Sequence, residues 1–235
     1  TYYQRLRDAG YRVGAVGKLD LAKPMGDNSD GARPQCFTWG FTHPVECEGK
    51  MHAGQGDGRV FGPYTAHLAR KGLLERFNDD YRKRREHHYA LSAWDSVLEA
   101  EDFEDGFIGR RSAQWIEQVP DDYPWHLFVS FVGPHDPFDP PTEYADRYRE
   151  AEMPAAAADD LGGKPRYVQG RHVAAEPEQV ATCRRQYCAA IELIDDEVGR
   201  ILDALDARGM AENTVIFFSS DHGEMAGDHG LFTKA

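Results

Sequence analysis

The strongest pattern along the 235-residue chain is an apolar run, Val215 to Phe218, that ends in two serines and Asp221-His222. An unbroken run of that kind reads as a strand (215–219) buried on both faces, and Gly223, Gly227 and Gly230 beyond it exclude a regular element. Two more runs behave alike. Arg12 to Val16 reads as a short strand that delivers Gly17, Lys18, Leu19 and Asp20 to its carboxyl end. Leu127 to Val132 is apolar but for Ser130 and opens into Gly133-Pro134-His135-Asp136-Pro137, where the prolines forbid continuation.

Helical spacing fills the intervals. Residues 1–9 read as a helix closed by Gly10, and a polar helix is expected over about 64–87. From Phe103, apolar positions 107, 108, 115, 116 and 119 share one face, with Asp102 placed as the N-cap. The longest stripe, Val180, Cys183, Tyr187, Ile191, Ile194, Val198, Ile201 and Leu205, predicts a long helix stopped by Gly209. Residues 151–177 read as an exposed connection. Residues 22–60, rich in Gly, Pro, Asp and His, read as irregular, so that about 22–100 is expected to be an insertion. The alternation of helices and strands predicts an α/β fold with a mostly parallel central sheet sandwiched by helices. Its strand ends then face one edge, where such sheets bind ligands.

A net charge of −13 argues against broad contact with nucleic acid or acidic membranes, and no apolar stretch approaches the ~20 residues of a membrane span. The basic run Tyr81 to Arg85 reads as a solvated helix face. Cys36, Cys47, Cys183 and Cys188 have neither paired metal spacing nor a disulfide pattern.

At the shared edge the three strand ends collect Lys18 with Asp20, His135 with Asp136, and Asp221-His222 with Lys234. Singly, each has an ordinary explanation as a turn or surface residue. Jointly they suit a tetrahedral oxyanion: cations neutralise its oxygens and an imidazole protonates a departing alcohol.

Three segments resemble the sulfatases, a branch of the alkaline-phosphatase superfamily. SSDHGEMAGDHGLFTK resembles the family's metal-binding loop, YRVGAVGKLDL its Gly-Tyr-x-Thr-x-x-x-Gly-Lys-x-His segment, and VGPHDPFDPP its Pro-His-x-Pro-Phe loop. The resemblance implies that Asp221 and His222 bind a divalent cation, that Lys18 and Lys234 hold the sulfate, and that His135 contacts it as general acid. Asp20 stands where the family usually has His, so it is assigned to the substrate side without an imidazole role.

No Cys-x-Pro-x-Arg or Ser-x-Pro-x-Arg, the context from which sulfatases make their formylglycine nucleophile, occurs in the chain. The family's amino-terminal Asp pair is absent too. Both lie upstream of the Gly-Lys segment in the family, so residues 1–235 are expected to be a partial catalytic domain, an internal fragment that is inactive alone. The resemblance favours Ca²⁺, although an Asp and an imidazole would also suit Mn²⁺ or Zn²⁺. The expected partner is a small-molecule or carbohydrate sulfate ester. The competing readings are a phosphonate monoester hydrolase or phosphodiesterase of the same superfamily, and a non-catalytic sulfatase-like binding protein.

Overall fold

The computed structural model describes residues 1–19, 34–158 and 161–234. Among them, three parallel strands, β1 (Arg12–Gly17), β2 (His43–Glu46) and β3 (Trp125–Ser130), form one sheet in the order β2-β1-β3. Gly17, the last residue of β1, lies opposite Glu46 on one side and Ser130 on the other, so all three strands end at the same edge.

The side-chain alternation of β1 sets the layers. Val13 and Ala15 pack with Leu6, Cys36, Phe41 and Phe128 under α1 (Tyr2–Asp8) and α2 (Pro34–Trp39). Val16 turns to the opposite face and joins a larger core of Tyr64, Leu68, Phe77, Tyr81, Phe107 and Ile108. That core is supplied by α4 (Pro63–Arg70), α5 (Leu74–Arg85) and α6 (Glu104–Gln118), with the single-turn α3 (Lys50–Ala53) between β2 and α4. After β3 come α7 (Thr142–Tyr148), the short α8 (Arg166–Gln169) and the long α9 (Pro177–Ala207), which runs against both α6 and α7. The parallel sheet with helices on both faces is the α/β fold that the apolar pattern predicts.

Several expectations are corrected. Residues 215–219 form no strand: Val215 is 78% and Phe217 90% exposed. A strand needs a neighbour to receive its ladder, and the three strands among the described residues pair only with one another. The stretch about 22–100 is not irregular in its described part, since β2 and α2 to α5 lie within it; residues 22–33 fall outside the described residues. The expected helix over 64–87 is two, α4 and α5, parted at Gly72, whose φ of +70° favours glycine.

Asp102 does not cap α6. Its carboxylate instead receives Lys71 Nζ at 2.7 and 2.9 Å and meets His67 Nε2 at 2.7 Å, bonds to a charged donor that outweigh a capping amide. Nor is the basic run wholly solvated. Arg84 is completely buried, 4.4 Å over the Trp94 ring, and donates to Asp80 and to the carbonyls of Ser92, Trp94 and Asp95. The cysteines form no disulfide among the described residues, where no helix is long and apolar enough to cross a membrane.

Candidate active site

Two glycines prepare the edge. Gly17 has φ +115°, and a Cβ there would fall 2.0 Å from the Ser130 carbonyl oxygen, so only glycine lets β1 end this close to β3. The next residue, Lys18, donates its amide to the same carbonyl at 3.1 Å. Its side chain then crosses Gly49, φ +76°, where a Cβ would sit 3.0 Å from Lys18 Cδ. Lys18 is thereby laid across the turn that follows β2. Asp20, assigned to the same group from sequence, lies outside the described residues.

From β3 the loop 132–139 carries His135. Its Nδ1 faces the Asp136 carbonyl at 2.7 Å and the Asp136 carboxylate at 3.0 Å, which makes Nδ1 the protonated nitrogen and leaves Nε2 toward the site. Lys234 Nζ meets that Nε2 at 3.3 Å, across 99 residues of sequence. Burial alone would raise the Asp136 carboxyl, but the hydrogen bond and charge of His135 hold it below the usual carboxylate range.

The loop that carries Asp221 and His222 has no regular structure. His222 Nδ1 is turned to the Gly223 carbonyl at 2.8 Å, and its Nε2 lies 3.4 Å from Asp221 Oδ2. One carboxylate and one outward imidazole nitrogen, adjacent and unobstructed, fit as two ligands of a divalent cation. Among the described residues no group of three or more His, Cys, Asp or Glu could hold one. Among those residues no hydrogen bond joins Asp221 or His222 to His135 or Lys234.

Glu224 links the two groups electrostatically. Half-buried, with Oε2 unpartnered, it is pushed up by burial and by Asp136, while His135, His222 and Lys234 oppose the shift. The second Asp-His of the loop is occupied structurally: Asp228 accepts from Arg184 at 2.7 Å and from the Ala157 amide, and His229 Nδ1 faces the Ala158 carbonyl.

Sequence reasoning missed the charged floor under these residues. Glu48, Lys50, Glu104, Asp105 and Asp139 are all at most 2% exposed. Glu104 accepts from the Gly49 amide, but burial first, then Glu48 and Asp105, push its carboxyl well above the ordinary range. Acids at the first turn of a helix resemble ordinary capping residues in sequence; only the structure reveals that these face inward. Three of the thiols are deactivated. Burial raises Cys47, with Glu104 and Glu48 adding to it, raises Cys183 to about 12, and raises Cys188; Cys36 is fully buried.

The family model described as Sulfatase matches residues 3–234. An arylsulfatase of Clostridium perfringens is 31% identical over 134 residues, covering 54% of this chain and 28% of the relative. A choline-sulfatase of Rhizobium meliloti is 32% identical over 145 residues, covering 57% and 28%. In fold, the crystal structure of a phosphonate monoester hydrolase of Agrobacterium radiobacter superposes with a TM-score of 0.69 at 22% identity, covering 99% of this chain and 49% of that one. The matches thus span 28% of each of those two curated relatives. With a family match over nearly its whole length and the fold to go with it, the chain belongs to the sulfatase family.

Proposed function

We propose that this chain supplies the anion-binding and proton-donating half of an active site that hydrolyses a sulfate monoester of a small molecule or carbohydrate. The observation that carries the proposal is the meeting of Lys234 Nζ and His135 Nε2 at 3.3 Å, a cation and an imidazole converging from distant segments. In this reading Lys18 and Lys234 face the sulfuryl oxygens. Asp136 holds His135 through Nδ1 and balances the charge of the doubly protonated ring, the form that passes its Nε2 proton to the departing alkoxide. Asp20, two residues beyond Lys18 in sequence, is assigned to the substrate side.

Asp221 and His222 would hold a divalent cation, with Ca²⁺ favoured over Mn²⁺ and Zn²⁺, and further ligands coming from outside the described residues. Such an ion would neutralise charge on a sulfuryl oxygen. Cys47, Cys183 and Cys188 are held above the ordinary thiol range and make poor nucleophiles, so formylglycine is expected from another part of the protein and the 235 residues alone are expected to be silent.

The test compares aryl sulfate and phosphonate monoester hydrolysis by the full-length protein. Lys234→Ala should lower kcat/KM for the sulfate ester by about 10²–10³, the usual loss when one preorganised charge-stabilising donor is removed, with the melting temperature unchanged. Full activity in that variant, a preference for the phosphonate, or turnover by the 235-residue chain alone would overturn the reading.

A further inference from the structure

Lys50 stands at the start of α3 with its side chain 3% exposed, yet it carries no part of the chemistry above. Its ammonium donates to the Pro137 carbonyl at 2.7 Å and to Asp139 Oδ1 at 2.7 Å. The other carboxylate oxygen of Asp139 receives the Tyr81 hydroxyl at 2.8 Å. At the opposite end of the same loop, Asp105 Oδ1 accepts the amides of Val132 at 2.7 Å and Gly133 at 2.9 Å. The loop 132–139 is therefore tied down on both sides of His135, by an acid from α6 before it and by Lys50 of α3 after it.

We propose that Lys50 is a positioning residue for His135: its bond to the Pro137 carbonyl, two residues beyond the imidazole, sets the loop so that Nε2 meets Lys234. The inference rests on His135 and Lys234 forming the ester site. Stability alone is a poor explanation for the pair, because a buried ion pair is often matched or exceeded in stability by apolar residues of similar volume. What an apolar side chain cannot supply is a directed bond to one backbone carbonyl. Asp139 keeps the ammonium from being an uncompensated buried charge, and Tyr81 fixes the rotamer of Asp139.

The experiment uses the full-length protein. Lys50→Met combined with Asp139→Asn removes both charges and leaves the Tyr81 hydroxyl an acceptor. Tyr81→Phe is the control that weakens the same buried network without touching Lys50. The readouts are the nuclear Overhauser contact between the His135 ring and the Lys234 side chain, and the His135 shift on titration with inorganic sulfate. The double variant should keep its circular dichroism spectrum, lose the His135–Lys234 contact and bind sulfate at least tenfold more weakly, while Tyr81→Phe retains both.

A double variant with the parent's contact and affinity would overturn the proposal. So would one that no longer folds, since Lys50 would then serve the fold rather than the loop, or an equal loss of the contact in Tyr81→Phe. If the parent itself fails to bind sulfate, the ester-site reading falls, and the ring contact still decides whether Lys50 positions His135.

Discussion

His135 shows how a single residue acquires a direction. Its Nδ1 is bound on the Asp136 side, so whatever chemistry it performs must leave through Nε2. The floor beneath it is less comfortable. Glu104 is fully buried beside Glu48 and Asp105, accepts one amide through Oε1 and leaves Oε2 without a partner. Because its folded pKa is raised, the native state holds a proton that the unfolded chain has released once the pH exceeds the usual glutamate range. Stability therefore falls as pH climbs from that range toward the raised value. Glu104→Gln removes the titration and keeps an oxygen for the Gly49 amide. Its melting temperature should gain on the parent progressively through the pH range above the usual glutamate value. A difference that stays constant across that range would show that Glu104 does not titrate anomalously.

At the level of elements, the close of β1 is the point on which the edge depends. Any residue but glycine at position 17 would adopt an unfavoured φ of +115° and drive its Cβ into the Ser130 carbonyl. Gly17→Ala should cost about 1–3 kcal/mol in strain, with more from parting β1 and β3, and should displace Lys18 with it. Denaturant unfolding measures the loss; a cost below about 0.5 kcal/mol would mean the strands relax freely. Strands β1 and β3 were legible in the sequence because each is an apolar run closed by glycine or proline. β2 was not: four residues, one of them Pro44 and another the buried Glu46, show neither period nor apolar run. The run Val215 to Phe218 misled for the opposite reason, since apolarity states a demand for burial and does not supply the neighbour that meets it. The motif residues His135 and Lys234 were legible through their loop context, whereas Lys50, Asp105 and Asp139 were hidden because inward-facing charges look like solvated ones until the layers are known.

For the whole molecule, that unmet demand sets behaviour in solution. Val215, Ile216, Phe217 and Phe218 are 57–90% exposed and contiguous, and each large apolar side chain gains about 1.5–3 kcal/mol when fully buried. A contiguous apolar strip with unpaired backbone is a ready template for pairing with another chain. The opposing effect is the net charge of −13, which repels a second copy over about 30 Å at 0.01 M salt but only about 8 Å at 0.15 M. Short-range burial should win once the charge is screened. Sedimentation of the 235-residue chain at about 50 µM should accordingly show self-association that strengthens as salt rises through that range. The pair Phe217→Ser and Phe218→Ser should sediment as a monomer throughout, with the parent's helical circular dichroism, because neither side chain belongs to a core cluster. Association that weakens with salt would assign it to charge pairs instead, and association unchanged in the double variant would move the contact off this strip.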